Sequence, residues 1–295
     1  MNYLIENDKI QTETCELNIC YHCNLNCLYC SHLSNKFKPF FLNPEQIGRD
    51  LSILSRFYEP QHVRLLGGES LLHPKIMDVI EKVRESNISK TIRVITNGIL
   101  LNQIEDKFWK AIDEVYISIY PNIKIKPEVL TSFKNKADKF NVVLQLIHFD
   151  YFRVSTYELA TKNKELIKRI YSTCQIAQIW RCHNIDNGYF YKCPQSLFIP
   201  KKIKGLTWNL DQDRVKISNN NKFKKELRDF LKSKEPLNAC SYCLGSVGKL
   251  FPHKQANKNK ENPKITEELI DWNFLKQLEK NPELDNGCYR FENDI

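Results

Sequence analysis

The 295-residue sequence contains no apolar run approaching the roughly 18 residues that a membrane-spanning helix needs. Nor does it open on an apolar stretch, since MNYLIENDKIQTETC is polar and acidic where a secretory signal requires a hydrophobic segment. Neither membrane insertion nor export is expected, and a cytoplasmic location is. The basic runs KKIK, NNNKFKKELRDFLKSK and PHKQANKNKENPK lack the interleaved aromatics of a single-strand nucleic-acid platform. The formal charge of +9 is therefore read as a solvated Lys/Asn-rich surface, and nucleic acid is not expected as a partner. Missing too is any internal repeat beyond an alternation of strand and helix.

That alternation runs from about residue 43 to 148 with a period of roughly 25 residues. Its apolar runs are VRLL (63–66), IRVI (92–95), VYISI (115–119) and VVLQLI (142–147), β-branched and without clean polar alternation, as strands covered on both faces should be. A first strand is expected at CELNI, 15–19. Between the strands lie four amphipathic helices. Asn43 caps one with Pro44 at its first position and Ile47, Leu51 and Leu54 on its apolar face. Pro74 opens the next, striped by Ile76, Ile80 and Val83; Ile104, Phe108 and Ile112 mark a third; Pro127 begins a fourth with Leu130, Phe133 and Ala137. Such spacing means parallel strands joined by right-handed crossovers, with ligands gathering beyond the carboxyl ends of the strands.

After residue 150 the pattern changes, and a domain boundary is set within 150–173. A helix is expected to open with a capping box from Ser155 to Glu158, carrying Leu159, Leu166 and Ile170. CHNIDNGYFYKCP reads as a β-hairpin turning at Asp186-Asn187-Gly188. A basic helix (222–233), the pair CSYC and a final helix (about 266–280) follow.

Cysteine is the residue present in excess, at eleven. Clustered thiols in a reducing compartment point to metal or catalysis ahead of disulfides. In CYHCNLNCLYC, residues 20–30, Cys23, Cys27 and Cys30 have the spacing C-x3-C-x2-C. Three thiolates in one loop can ligate three irons of a 4Fe-4S cluster and leave the fourth iron open. Zinc is the rival, but paired C-x2-C zinc knuckles usually stand much further apart than the three residues between Cys23 and Cys27. Cys15 and Cys20 are read as buried packing thiols.

This loop resembles that of the radical S-adenosylmethionine (SAM) superfamily, with Tyr29 before the last cysteine and further motifs in the family's order: LLGGESLLHP after the second strand, ITNG after the third, ISIYP in the fourth. The resemblance covers roughly residues 15–148 and implies an α/β fold, a partial (β/α)6 barrel. It implies SAM bound near Tyr29, Gly67, Gly68, Glu69, Thr96, Asn97 and Ser118. The cluster would cleave SAM to methionine and a 5'-deoxyadenosyl radical that abstracts hydrogen from the substrate, fed by an electron donor such as flavodoxin or ferredoxin.

A second thiol set has the same kind of warrant. Cys174-x13-Gly188-x4-Cys193 fits the C-x(9–15)-G-x4-C opening of the auxiliary-cluster extensions of this superfamily, with Cys240 and Cys243 completing four ligands for one auxiliary 4Fe-4S cluster. Cys182 is the alternative to Cys174, and zinc is a rival at this site because two separated cysteine pairs suit tetrahedral coordination. Since no cysteine beyond Cys288 follows CSYC, the extension resembles the short twitch type of the SPASM/twitch group, giving a barrel core of residues 1–173 and an extension of 174–295 that contains the hairpin. Short twitch proteins include enzymes of the 2-deoxy-scyllo-inosamine dehydrogenase type, which this chain resembles. About fourteen residues precede the first strand, whereas many peptide-modifying members carry a leader-binding domain there. A small polar substrate, a carbohydrate or aminocyclitol undergoing oxidation or epimerisation, is therefore expected ahead of a ribosomal peptide. A scaffold binding cluster or zinc without turnover is the non-enzyme alternative. Cys288 as hydrogen donor, with Arg153 or Tyr151 assisting proton loss, are candidate catalytic residues.

Overall fold

The computed structural model describes residues 3–157, 159–203, 207–256 and 266–292. Its central feature is a run of parallel strands. A short β1 (Ile5–Glu6) pairs with β2 (Lys9–Cys20), and β2 is followed across the sheet by β3 (Tyr58–Gly67), β4 (Thr91–Thr96), β5 (Glu114–Ile119) and β6 (Val143–His148). Helices α1 (Pro44–Leu54), α2 (Ile76–Glu85), α3 (Asp106–Ala111) and α4 (Pro127–Phe140) form the crossovers. Strand and helix thus alternate as the apolar spacing requires. Two starts lie further along than the sequence suggests: α2 begins at Ile76 and not at Pro74, and α3 begins after Ile104.

Register explains the core. Leu17, Leu65, Val94 and Val115 stand side by side across β2 to β5, and all four are fully buried. They share one core with Leu51, Val79, Phe108 and Phe133 from the helices. One residue along each strand the side chains point the opposite way. There Glu16, Arg64, Arg93 and Glu114 form a row in register, with Arg64 3.7 Å from Glu16 and Arg93 paired with Glu114. The concave face is therefore charged, although these strands read as covered on both sides.

The C-terminal residues extend this sheet at both edges. Past β7 (Tyr151–Arg153), the hairpin of β8 (His183–Asp186) and β9 (Tyr189–Tyr191) adds β8 parallel to β2, and β10 (Arg214–Lys216) continues outward. Asn187 and Gly188 take positive φ of 45° and 83° at the expected turn. β11 (Leu250–Pro252) pairs with β7, and β12 (Arg290–Glu292) runs antiparallel on β6. Six parallel strands result among the described residues, five of them in series, forming an open partial barrel.

The helices here are α5 (Lys164–Ser172), α6 (Pro194–Lys202), α7 (Asn221–Lys232) and α8 (Trp272–Lys280), the last being shorter than the sequence suggested. Val154, Tyr157, Leu166, Ile170, Leu244, Val247, Phe274 and Leu275 make a second core. No described helix is long and apolar enough to cross a membrane.

No helix opens at Ser155. Ser155 lies in extended chain, its carbonyl accepting from Leu244 N–H, and Leu159 is 83% exposed; Glu158 lies outside the described residues. Pairing of this segment with the residues around Cys243 outweighs the local helix signal, and α5 starts instead at Asn163, whose side chain accepts from Leu166 N–H at 3.0 Å. Asn163→Ala is expected to cost about 1 kcal/mol of stability in urea denaturation, while Ser155→Ala should cost much less as a cap.

Candidate functional site

The cysteine loop leaves the carboxyl end of β2 and is held against the end of β3 by backbone bonds from Gly68 N–H to Cys20 O (2.7 Å) and from Glu69 N–H to His22 O (3.1 Å). This contact dictates glycine. A Cβ on Gly67 would lie 2.0 Å from Cys20 O, and one on Gly68 would lie 2.1 Å from His22 O. The two glycines therefore let the β3 end press on the backbone beneath Cys23. Gly68→Ala must displace that backbone, and a loss of about 3 kcal/mol is expected in denaturant melts.

Around this contact the other motif residues are tied to one another. Buried Glu69 accepts from Leu71 N–H (3.0 Å), Thr96 Oγ1 (2.7 Å) and Asn97 N–H (2.8 Å). Burial pushes its carboxyl above the usual range, against the pull of those three donors. Asn97 Nδ2 donates to Asn24 Oδ1 at 2.7 Å and stands 3.8 Å from Cys23 Sγ. Ser118 is buried at the end of β5, beneath Tyr120. Tyr29 takes a left-handed φ of 59° and packs its ring 4.9 Å from Phe251.

Cys23, Cys27 and Cys30 lie close enough for their charges to act on one another. Burial, then the Glu69 carboxylate and the neighbouring thiols, pushes Cys23 up to about 12, and burial with the charge of Cys30 pushes Cys27 up to about 11, so a metal must displace protons to bind. N–H donors already face the sulfurs: Leu25 N–H lies 3.3 Å from Cys23 Sγ and Gln255 Nε2 donates to Cys27 Sγ at 3.2 Å, with the His253 ring nitrogen Nε2 also 3.2 Å from that sulfur. Such donors suit an anionic, thiolate-ligated cluster.

The second thiol set also converges. Cys174, Cys193, Cys240 and Cys243 line a single, partly open cavity, closed otherwise by Ile170, Tyr171 and Leu237. Cys174 precedes a π turn (Gln175–Ile179), Cys193 caps α6, and Asp213 holds the turn carrying Cys240 by accepting from Asn238 and Ala239 N–H. Burial is the main cause that raises all four thiols, and Gly245 N–H reaches Cys243 Sγ at 3.2 Å. Beside them Lys192 is buried with its ammonium on Tyr171 OH and Ser233 O, both 2.9 Å, and burial draws it down to about 8. Four thiols around one cavity fit a fully ligated cluster.

Cys182 stands elsewhere. Its thiol lies beside the carboxylate of buried Glu16, near Arg64, on the concave face, and it does not line the cavity. Cys15 and Cys20 are fully buried. Arg153 is held by the carbonyls of Asn286 (3.0 Å) and Gly248 (2.8 Å) and lies 3.9 Å from the centre of the Phe274 ring. Its guanidinium is a rivet within the C-terminal part. Tyr151 is exposed in β7, opposite Pro252 of β11, and Cys288 is half-buried beside Arg153. Glu16, Asn184, Tyr120, His253 and Gln255 were not singled out from the sequence. A polar residue in a strand run could have flagged Glu16, whereas His253 and Gln255 carry no local signal.

A family model for the radical SAM superfamily matches residues 17–148. A probable GTP 3',8-cyclase of Methanocaldococcus jannaschii is 31% identical over 217 residues, covering 68% of this chain and 70% of that protein. One from Thermoplasma volcanium is 31% identical over 99 residues, 33% of this chain and 30% of that protein. The structure of BtrN in complex with AdoMet and 2-DOIA aligns over 80% of this chain and 94% of BtrN at 18% identity with a TM-score of 0.46, too distant to decide anything about the substrate. With similarity running through more than two thirds of both this chain and the M. jannaschii protein, the chain belongs to the radical SAM superfamily, as an enzyme whose cofactors are SAM and a 4Fe-4S cluster.

Proposed function

We propose that this enzyme carries two clusters and oxidises a small polar substrate of the carbohydrate or aminocyclitol kind. Cys23, Cys27 and Cys30 would hold the SAM-binding cluster, and Gly67, Gly68, Glu69, Thr96, Asn97, Ser118 and Tyr29 would frame SAM. Residues 1–173 would form the barrel core and 174–295 a twitch-type extension whose Cys174, Cys193, Cys240 and Cys243 hold the auxiliary cluster, with Cys182 left out. When bound, cluster and SAM supply one-electron chemistry that removes hydrogen from an unactivated C–H bond. The chain's own part is to hold, orient and exclude water. Glu16, Arg64 and Asn184 line the concave face with groups that suit a hydroxyl-bearing ligand.

The observation that carries this reading is the cavity with four thiols. Complete protein ligation leaves no iron open to a substrate there, so the second cluster serves as an electron acceptor, and the outcome is oxidation. A second reading, action on GTP, is favoured by the 31% identity to proteins named as probable GTP 3',8-cyclases. A ribosomal peptide is the remaining alternative. Anaerobically reconstituted protein given SAM and dithionite should release 5'-deoxyadenosine and take two hydrogens from an aminocyclitol or sugar, measured by mass. Turnover of GTP alone, or of a peptide alone, would replace this reading.

A further inference from the structure

We infer that residues 253–256 of the C-terminal part raise the reduction potential of the SAM-binding cluster, through two N–H donors placed on the sulfur of Cys27. This rests on the reading of Cys23, Cys27 and Cys30 as cluster ligands and adds positioning residues that no motif contains.

The segment is seated on the cysteine loop by an isolated bridge between Cys27 and Gln255. Leu28 N–H donates to Lys254 O at 2.9 Å, Ala256 N–H to Asn26 O at 2.6 Å, and Asn26 Nδ2 to Ala256 O at 2.9 Å. These bonds fix the backbone from which both side chains reach back. Their orientations follow from their other contacts. Gln255 Oε1 accepts from Asn26 N–H at 2.7 Å, so the amide cannot flip without setting two donors against each other, and Nε2 must face Cys27 Sγ at 3.2 Å. His253 is clamped between Tyr120, stacked at 4.6 Å and 19°, and the edge of Phe152 at 5.0 Å. Its Nδ1 is buried without a partner, so the single N–H of the neutral ring is assigned to Nε2, 3.2 Å from the same sulfur; Gln255 Nε2, 3.4 Å from that ring nitrogen, then directs its own N–H to the sulfur and not to the ring.

Two donors on one sulfur stabilise negative charge there. A cluster gains charge on reduction, so both bonds favour the reduced state and move the potential upward. Cys23 has a backbone donor and a distant Asn97, and the contact of Cys30 Sγ with Ser34 Oγ is 3.8 Å long. The C-terminal part therefore acts on the iron next to Cys27 in particular, and reducibility of the cluster depends on that part being docked.

The test uses full-length protein, reconstituted anaerobically and poised at defined potentials, following the electron paramagnetic resonance signal that SAM perturbs. His253→Phe keeps the ring on Tyr120 and removes the donor, and Gln255→Leu removes the other. Each is expected to shift the midpoint to lower potential, and the pair together to shift it further. Double resonance on the wild type should show exchangeable protons coupled to this cluster, fewer in each variant. Unmoved midpoints in variants that keep the cluster overturn the inference alone. Absence of any SAM-perturbed signal in the wild type overturns the ligand reading with it. Should both variants lose the cluster, the wild-type proton couplings decide, their absence being fatal.

Discussion

Serine at Cys27 is expected to abolish 5'-deoxyadenosine formation and to lower bound iron from about eight to about four per chain. Cys27 is the most surrounded of the three loop thiols, being buried and carrying donors from His253 and Gln255. A hydroxyl at that position is a poor iron ligand, and two remaining thiols cannot hold a cluster that also keeps one iron open. The fold should survive, because the loop is anchored by backbone bonds through Gly68, Glu69 and Leu28 and not by the thiol. Circular dichroism and melting should therefore stay close to wild type while iron and SAM cleavage fall. Retention of SAM cleavage at the wild-type rate would remove the basis for assigning the loop.

Much of this architecture is legible in the sequence because its causes are local. Asn43 and Pro44 start α1 where a cap and a fixed φ should, and Asn187-Gly188 turns the hairpin because those residues tolerate positive φ. The cysteine spacings are local too. What is not legible depends on residues far apart in the chain. Ser155 resembles a cap, but its segment joins the strand pairing around Cys243. Glu16 and Arg64 sit in runs that read as apolar strands, and only the register of β2 on β3 brings them together. His253 acquires its role from a contact 226 residues away. Arg153 follows β6 in sequence, as a mouth residue should, yet Asn286 and Gly248 draw it into the C-terminal core. Gly-Gly is legible as a motif, while the carbonyls that require it are not.

The largest effect at the second site is expected from its CSYC pair. Changing Cys240 and Cys243 together to serine should remove the auxiliary cluster, taking iron from about eight to about four, because Cys174 and Cys193 alone cannot hold it. SAM cleavage in the absence of substrate should persist, since the loop of Cys23, Cys27 and Cys30 is anchored on β3 and on residues 253–256, not on the cavity. Substrate oxidation should disappear, because the second electron then has no acceptor. Single substitutions separate the two candidates for the fourth ligand. Cys174→Ser should lose iron, for its thiol lies on the cavity wall, whereas Cys182→Ser should keep it, for that thiol lies beside Glu16, away from the cavity. Iron analysis and Mössbauer spectra on the three variants check this in one series. Iron loss from Cys182→Ser with none from Cys174→Ser would reverse the assignment. A double variant that retains both clusters and full turnover would leave the cavity without a function and the oxidative outcome without its electron acceptor.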